Sequence, residues 1–454
     1  MILINELEFT RIDTDTVLLL NLINGAADFV CNDTFENLVN NRLDKLTEDD
    51  IAVLVDRRHA FIDKDAYKRF VSDLNLHIDS CERNSTPNFV LIPTYACNLN
   101  CSYCFESSYS IDNKGAFFDI ADVMVQFEII DYIVDKGTFS LVDGERINVT
   151  IMGGEPLLDK NYDNIKVILE QSKKRNFSVD IISNGVNVHN FIPLFLAFKD
   201  TIDHIQITLD GTQKTHDSRR MFHDKSGSFD IIIKNLSLLV DIGVATFVRV
   251  NVDSQNIKNL VELAGVLDAK FGSCECLKPY IYLLQDGGCS GEVNIVKEED
   301  GIEKIFKLEN SNPCLKIFSK RYHPSHFIGS VINDMPYQPM LRHCGASKNQ
   351  YILDNKYNIY KCWHGIGNDD YRVGTYENGI FYIDEFKLNS WFKRNTVLLE
   401  MCSECKYRYI CGTGCPAARH IANESFEVDK PNCVEYEKLI KVIIENSEYF
   451  TKLL

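Results

Sequence analysis

Three closely spaced cysteines are the feature that most constrains what this chain can fold into. They are Cys97, Cys101 and Cys104, with three and then two residues between them. They follow the apolar, β-branched run Asn88–Ile92, which predicts a buried strand. Such a loop can hold three irons of a four-iron cube and leave the fourth iron open to a small ligand. Zinc is the alternative, but no other Cys or His lies between Cys81 and His189 to complete a zinc site, so the spacing favours iron and sulfur.

A glycine-rich motif stands forty-nine residues beyond Cys104, behind a second predicted strand, Ile147–Ile151. It reads Gly153-Gly154-Glu155-Pro156. Together, the cysteine loop and this motif resemble the radical S-adenosylmethionine (radical SAM) enzymes. The resemblance implies that the open iron binds the amino and carboxylate groups of the methionine part of S-adenosylmethionine (SAM). It also implies that the glycine-rich motif receives the methionine ammonium, and that Tyr103 in the cysteine loop is a cofactor-binding residue.

Composition narrows the classes of function. The 454 residues suffice for two or three domains with a large core, and the formal charge of −17 argues against a nucleic-acid-binding surface. The sixteen cysteines come without a basic and apolar export signal at the N-terminus, and the apolar run Val17–Ile23 is too short to span a bilayer. We therefore expect a cytoplasmic protein with metal or redox chemistry and no membrane or nucleic-acid partner.

Residues 1–87 predict a small α+β domain. Three strands are predicted, over Ile2–Phe9, Val17–Leu20 and Ala27–Cys31, with Asn24-Gly25 as a hairpin turn. Three helices are predicted to begin near Asp33, Thr47 and Asp63. This pattern resembles the winged-helix-like leader-peptide recognition domains of many peptide maturases, which hold an extended peptide as an added strand. A packing extension of the following domain is the alternative.

Residues 88–286 alternate between strand-like and helix-like runs. This alternation predicts an α/β fold in which a parallel sheet curls into a partial (β/α)6 TIM-like barrel. The further candidate strands are Val179–Ile182, His204–Leu209, Thr246–Asn251 and Lys278–Leu283. The candidate helices are Asp119–Val134, Asn161–Lys174 and Phe229–Leu239. Chemistry in such barrels lies at the C-terminal ends of the strands, where the cysteine loop and the glycine-rich motif both fall.

Later strands are followed by further cofactor-binding candidates. Ser183 and Asn184 come after the third strand, where short polar side chains could bond ribose hydroxyls. Asp210 opens an Asp-Gly…His-Asp-x-x-Arg stretch that resembles a family motif and ends at Arg220. Arg220 or Arg249 could pair with the methionine carboxylate. An ordinary turn at Asp210 and ordinary ion pairs for the arginines are the structural alternatives.

Seven more cysteines mark the C-terminal part. They are Cys344, Cys362, Cys402, Cys405, Cys411, Cys415 and Cys433. Their pattern resembles the SPASM extension of radical SAM enzymes that act on peptides and proteins. The resemblance implies one four-iron cluster on Cys402, Cys405, Cys411 and Cys433, and another on Cys344, Cys362 and Cys415 with a fourth ligand from elsewhere. A pair of zinc sites would also fit the spacing, but not the motifs upstream.

The C-terminal pattern departs from the family in two places. Asp354–Asn358 stands where the family usually has a glycine turn, and Asn is expected to keep the turn. Trp363 directly follows Cys362, where the sulfatase-maturing branch has an Asp that serves as general base. The missing fourth ligand is predicted to be Cys314 or Cys289, or else one iron is left open. The glycine-rich surroundings of Cys289 are not expected to be rigid, which favours the open iron.

The resemblance predicts a radical SAM peptide maturase that takes hydrogen from a ribosomally made precursor peptide and installs a thioether or carbon–carbon cross-link. The predicted domains are leader-peptide recognition (1–87), the barrel (88–286), a bridging region without periodicity (287–340) and SPASM (341–454). The predicted cofactors are SAM and three [4Fe–4S] clusters, and the predicted partners are the peptide and an electron donor such as flavodoxin or ferredoxin. No catalytic residue is assigned beyond the radical cluster. The alternatives are a sulfatase-type maturase that forms formylglycine, and a non-catalytic electron carrier or zinc scaffold, for which the glycine-rich motif would have no use.

Overall fold

A computed structural model describes residues 1–104, 106, 117–137, 139, 141, 144–284, 294–323, 325–333, 335–417 and 428–446. The N-terminal strands are β1 Ile2–Leu3, β2 Leu7–Arg11, β3 Thr16–Asn21, β4 Ala27–Cys31 and β5 Ala60–Phe61. The helices among and after them are α1 Asn32–Val39, α2 Glu48–Asp56 and α3 Lys64–Arg83. Strands β2, β3 and β4 form an antiparallel sheet with β4 at one edge, while β1 pairs with β5.

An eleven-stranded sheet dominates the rest of the chain. Its parallel part is β6 Asn88–Leu91, β7 Asn148–Ile151, β8 Ser178–Ser183, β9 Ile202–Thr208, β10 Thr246–Val252, β11 Leu277–Leu283 and β12 Ser319–Arg321. The helices between these strands are α4 Ile120–Lys136, α5 Tyr162–Lys174, α6 Val188–Ala197, α7 Gln213–Arg219, α8 Phe229–Asp241, α9 Leu260–Phe271 and α10 Glu298–Ser311. Each strand from β6 to β12 pairs in parallel with the next, so the six predicted βα strands are confirmed and a seventh is added.

The C-terminal part continues the same sheet. After α11 Ser325–Ile332, strand β13 Gln350–Leu353 pairs in parallel with β6, and β14 Asn358–Tyr360, β15 Arg372–Glu377 and β16 Ile380–Ile383 follow as antiparallel neighbours. The last helices are α12 Glu385–Lys393, α13 Glu400–Ser403, α14 Arg408–Cys411 and α15 Tyr436–Asn446. The predicted C-terminal domain therefore shares a hydrogen-bonded sheet with the barrel. Among the described helices, none is long and apolar enough to cross a bilayer.

Capping residues in the sequence predicted where helices α2 and α3 begin. Thr47 caps α2 through a reciprocal capping box with Asp50, and Asp63 caps α3. Helix α1 begins at Asn32, as expected for a start near Asp33, but its N-cap is Cys31 and not Asp33, and the Cys31 sulfur accepts from the Thr34 N–H. The predicted turn at Asn24-Gly25 is confirmed, with Gly25 at φ +79.

Two further sequence expectations are corrected. The first predicted strand is two strands, because β1 leaves the three-stranded sheet to pair with β5. The predicted bridging region is not irregular throughout, since α10, β12 and α11 fall within it. Helix α10 packs on the C-terminal helix α15. The apolar face of α10 is therefore buried against a helix that lies more than a hundred residues further along the chain. The glycine-rich loop with Cys289 lies outside the described residues.

The N-terminal segment is tied to the C-terminal part by a buried ion-pair network. Arg342 is fully buried, and its guanidinium contacts Glu82 at 3.1 Å and Asp79 at 2.6 Å, both on α3. Glu82 also accepts from the backbone N–H groups of Leu341 (3.1 Å) and Arg342 (3.2 Å). A hydrophobic cluster reinforces the contact, since Leu341 and Tyr409 pack with Leu7, Leu19 and Leu54. The first 83 residues therefore form one packed unit with the C-terminal part.

Replacing Arg342 by Met should lower the stability of the folded chain by about 3 kcal/mol, because Glu82 is then left buried with Lys348 as its remaining cation. The urea midpoint of the anaerobically reconstituted protein measures the effect. Arg83→Met is the matched control, since Arg83 pairs with the same Asp79 but at the surface, where an ion pair contributes less than about 1 kcal/mol. Equal effects of the two variants would show that the buried network does not anchor the N-terminal segment.

Candidate active site

The cysteine loop and the glycine-rich motif touch each other through backbone. The Gly154 N–H donates to the carbonyl of Thr94 (3.1 Å), and the Glu155 N–H donates to that of Ala96 (2.8 Å). A Cβ atom on Gly154 would lie 2.4 Å from the carbonyl oxygens of both Tyr95 and Ala96. Gly153 adopts φ +138, and a Cβ there would lie 2.5 Å from the Thr94 oxygen. Two glycines are needed because no side chain fits between the ends of β6 and β7.

The three thiols of the loop lie close enough to influence one another's ionisation. Burial raises the pKa of Cys97, and the nearby Glu155, Cys101 and Cys104 raise it further. Burial likewise raises the pKa of Cys104 to about 12. Without a metal the thiols therefore stay protonated, whereas a metal-bearing group would favour three thiolates at once. Three neighbouring thiols on one loop fit the ligand set of such a group.

The Glu155 carboxylate is fully buried and holds the end of β8. It accepts hydrogen bonds from the Ser183 hydroxyl (2.8 Å), the Asn184 N–H (2.7 Å) and the Leu157 N–H (2.8 Å). Asn184 in turn donates from Nδ2 to Asn98 Oδ1 in the cysteine loop (2.7 Å). Ser183 and Asn184 thus lie beside the cysteine loop as expected, although the Ser183 hydroxyl already has a protein partner. The carbonyl of Pro156 accepts from Asn161 Nδ2 at 3.1 Å, which fixes the last residue of the motif.

Tyr103 joins the cysteine loop to the far side of the sheet. Its hydroxyl donates to Asp210, and accepts from Arg220 Nη1 (2.7 Å) and Asn251 Nδ2 (3.2 Å). Burial lowers the pKa of Arg220, but the nearby Cys101, Tyr103 and Asp210 outweigh it, so the pKa lies above its ordinary value. Arg220 is therefore a permanent cation beside the thiols.

The sequence did not single out several residues that hold this network. Arg219 pairs with Asp253 at 2.7 Å and lies 3.4 Å from Asp210. His216 accepts from the Asp210 N–H, and burial lowers the pKa of His216 to about 3, so it stays neutral. Arg249 is connected to this network through Asn251, whose Oδ1 atom accepts from Arg249 Nε (2.8 Å), and its guanidinium stacks 4.2 Å over the Tyr282 ring. A motif signal existed for His216, but none exists for Arg219 or Asp253.

The site fits a three-thiolate iron–sulfur cluster with an adjacent cofactor. Three thiols share one loop, and the permanent cation Arg220 lies beside them. At Gly153 and Gly154 the glycine-rich motif presents only backbone atoms to the cysteine loop. The Nε atom of Arg220 is buried and has no hydrogen-bond partner among the described residues. An anionic group such as a carboxylate could satisfy it.

The C-terminal cysteines fall into two neighbourhoods. Burial raises the pKa of Cys362, and Cys344 and Cys415 raise it further; these three form the first C-terminal group. Burial raises the pKa of Cys402 to about 11, with added effects of Cys405 and Cys433, and Cys411 responds to Cys402 and Cys405. These four form the second C-terminal group. The two groups coincide with the two ligand sets that the sequence predicts.

A cavity of about 930 Å³ lies between the end of β11 and the first C-terminal group. Its wall includes Tyr282, Tyr322, Trp363 and all three cysteines of that group. Among the described residues of the wall, Glu298 is the sole acidic one. Glu298 accepts from the His323 N–H (2.8 Å) and lies 2.9 Å from His323 Nδ1.

Two expectations about the C-terminal part are refined. The turn between β13 and β14 depends on Tyr357 at φ +61, not on an Asn, and the Tyr357 hydroxyl donates to Asp122 on α4. Cys314 is exposed on a short 3₁₀ helix, Pro313–Ile317, that packs on α9. It is absent from the described wall of the cavity.

The comparisons with known proteins agree with this geometry. The family model of the Radical SAM superfamily matches residues 91–267, which run from the last residue of β6 to beyond β10 and include both motifs. Residues 91–267 therefore form a radical SAM domain, and the class of enzymes that carries this domain uses SAM and a [4Fe–4S] cluster.

Individual relatives are more distant. A cysteine-type anaerobic sulfatase-maturating enzyme of Clostridium novyi is 24% identical over 373 residues, which cover 79% of this chain and 95% of that protein. The solved structure of anSMEcpe with bound AdoMet has a TM-score of 0.58 at 16% identity, and covers 81% of this chain and 94% of that one. The structure of Streptococcus suis SuiB bound to its precursor peptide SuiA has a TM-score of 0.54 at 13% identity, and covers 95% of this chain and 98% of that one. These structures share the fold of this chain.

Gly154→Ala should abolish SAM cleavage. The added Cβ would meet two backbone carbonyls at 2.4 Å, so the cysteine loop has to move and the cluster on Cys97, Cys101 and Cys104 is lost. Release of 5′-deoxyadenosine and the iron content measure the outcome. Gly265→Ala is the control, because Gly265 lies inside α9 with open space around its Cβ position, and Ala there should stabilise the helix by about 0.5–1 kcal/mol. SAM cleavage at the wild-type rate in Gly154→Ala would contradict the close-approach role.

Proposed function

We propose that this enzyme is a peptide maturase that takes hydrogen from a ribosomally made precursor peptide and installs a thioether or carbon–carbon cross-link. The observation that carries the proposal is the cavity beside the first C-terminal group, because a side chain held there lies between the end of the parallel sheet and a second cysteine ligand set. When bound, the radical cluster and SAM supply a 5′-deoxyadenosyl radical, which removes hydrogen from unactivated carbon. The aromatic wall of the cavity would hold the target carbon and exclude water.

The two C-terminal groups would hold two further [4Fe–4S] clusters, which brings the total to three. The electron released on bond formation would pass to them, so that the net reaction is oxidative. The first group supplies three cysteines, and its fourth ligand is Cys289, Cys314 or none. Because Cys314 is exposed and lies away from the described wall of the cavity, we favour an open position or Cys289. An incomplete ligand set would suit a substrate that carries a thiol.

The N-terminal segment is the proposed binding site for the leader part of the peptide. Strand β4 is an edge strand, and its Phe29 side chain is 42% exposed. The Asn21 N–H donates to the Ala26 carbonyl and the Asn32 N–H to the Asp15 carbonyl, which fixes the alternation of hydrogen bonds along the hairpin. That alternation turns the backbone of Phe29 away from β3 and leaves it free to pair with an added strand. The likeness in fold to SuiB covers 95% of this chain and therefore most of this segment, which supports the proposal.

A sulfatase-type maturase that oxidises Cys or Ser to formylglycine is the second candidate, favoured by the similarity to the Clostridium novyi enzyme. Trp363 stands at the position where the sulfatase-maturing branch has its general-base Asp, and this difference disfavours formylglycine formation. Glu298, held by His323, is nevertheless a carboxylate in the same cavity and could accept a proton. We propose a cytoplasmic setting, with flavodoxin or ferredoxin as the electron donor for either reaction.

The product distinguishes the two candidates. The reconstituted chain, SAM and a reductant are incubated anaerobically with the peptide that the adjacent reading frame encodes, and the product is analysed by mass spectrometry. A cross-link should give a peptide that has lost a pair of hydrogens, does not react with hydrazine reagents and, for a thioether, resists thiol alkylation. An aldehyde that a hydrazine reagent captures would instead establish formylglycine formation.

Replacing Phe29 by Pro should weaken binding of the precursor peptide by about tenfold relative to Phe29→Ala. Proline removes an outward N–H that an added strand would use, and an edge strand tolerates it because the hydrogen bonds to β3 remain. One or two lost backbone hydrogen bonds, at about 1 kcal/mol each, account for this factor. Binding is measured by fluorescence anisotropy of the labelled peptide, while uncoupled SAM cleavage should stay unchanged. Equal affinities of the two variants would exclude strand addition at β4.

A further inference from the structure

Arg394 lies buried at the junction of the two C-terminal groups. It directly follows α12, and it is 1% exposed. Its Nη2 atom donates to the carbonyls of Thr413 and Gly414, both at 3.1 Å. Its Nη1 atom donates to the carbonyls of Val428 (2.8 Å) and Lys430. One side chain thus binds two chain segments, the loop between Cys411 and Cys415 and the segment ahead of Cys433.

The loop that Arg394 holds connects the two groups. Gly412, Thr413 and Gly414 all have left-handed backbone, at φ +61, +86 and +70, and they separate Cys411 of the second group from Cys415 of the first. A Cβ on Gly412 would lie 2.6 Å from the His343 nitrogen, directly before Cys344. A Cβ on Gly414 would lie 2.0 Å from the Asn432 oxygen, directly before Cys433. The loop is therefore wedged between segments that carry cysteines of both groups.

The charge of Arg394 has no ordinary counter-ion. Among the described residues no carboxylate pairs with it, its four hydrogen bonds all go to carbonyls, and its Nε atom is without a partner. Burial lowers the pKa of Arg394, while two thiols of the first group, Cys344 and Cys415, and two of the second, Cys402 and Cys411, oppose that shift. A buried cation without an anion is costly, so an anionic structure is expected on each side of it. Iron–sulfur clusters with thiolate ligands are anionic and fit this requirement.

We propose that Arg394 is an electrostatic link between the two auxiliary clusters: from its position between them, its single positive charge raises the reduction potentials of both. The inference rests on the proposed function, because that proposal assigns clusters to the two C-terminal groups. A nearby positive charge stabilises the reduced form, which carries one more negative charge than the oxidised form. Arg394 acts through the clusters and contacts no substrate, so it is a positioning residue. By raising both potentials, it would make both clusters better acceptors for the electron that bond formation releases.

The test compares reduction potentials in the full, anaerobically reconstituted chain by redox titration monitored with electron paramagnetic resonance. The radical cluster is recognised by the change of its signal on addition of SAM, and it serves as an internal reference. Arg394→Gln should lower the potentials of both auxiliary clusters and leave the radical cluster unchanged. Arg394→Lys keeps the charge and should keep both potentials near those of the wild type. Lys393→Gln removes the same charge from the exposed neighbouring residue and should shift none of the three potentials.

The outcomes distinguish a failure of the Arg394 inference from a failure of the proposed assignment of clusters to the two C-terminal groups. Wild-type protein with about four irons, in place of the about twelve that three clusters require, would overturn the cluster assignment before any variant is compared. With full iron, a shift of one auxiliary cluster alone, or of neither, in Arg394→Gln would overturn the link. If Arg394→Gln loses iron from the auxiliary clusters, the Arg394→Lys variant distinguishes an electrostatic role of Arg394 from a purely structural one. Retained iron with unchanged potentials supports the electrostatic role, and loss of iron in Arg394→Lys as well would leave Arg394 a purely structural anchor.

Discussion

The buried carboxylate of Glu155 is the contact on which the rest of the active site depends. Burial raises its pKa, and the hydrogen bonds from Asn184, Ser183 and Leu157 oppose that shift. Through these bonds one side chain joins the ends of β7 and β8, while its own N–H holds the carbonyl of Ala96 beside the cysteine loop. Parallel strands end at one edge of a sheet, so a single buried acceptor can fix several loops there. The conformation of the cysteine loop thus depends on a residue about fifty positions further along the chain.

A second set of interactions fixes the opposite side of the site. Asp210 accepts from Tyr103, pairs with Arg219 and accepts from the Asn251 N–H, so its carboxylate is satisfied by the protein. Neutral His216 accepts a hydrogen bond from the backbone N–H of Asp210. The Nε atom of Arg220 is buried and has no hydrogen-bond partner among the described residues. Burial raises the pKa of Cys101, and Asp210 and Glu155 raise it further, while the charge of Arg220 opposes that shift. The unpartnered nitrogen leaves Arg220 available to an anionic ligand.

The C-terminal part is an extension of the barrel and not a separate body. Strand β13 pairs with β6, the strand that precedes the loop of Cys97, Cys101 and Cys104, so both cysteine regions are attached to neighbouring strands of one sheet. The N-terminal segment is fixed to the same assembly, since Glu82 of α3 binds Arg342 close to Cys344. Shared strands and buried ion pairs limit relative motion of the three parts. The N-terminal sheet and the cavity are therefore held in one packed assembly.

The sequence by itself determined the six parallel strands from β6 to β11, the helix caps at Thr47 and Asp63, the grouping of the C-terminal cysteines and the glycine-rich motif. These features rest on local spacing, on the period of apolar residues and on cap chemistry, all of which are present in short stretches of sequence. Only the tertiary structure decided the partners of Ser183 and Asp210, because a carboxylate or hydroxyl can satisfy its hydrogen bonds with protein as well as with ligand. It also decided the positions of Glu298 and Arg394, which no motif marks. Their roles arise from contacts with residues distant in the chain, since burial and charge become defined only when those segments pack together.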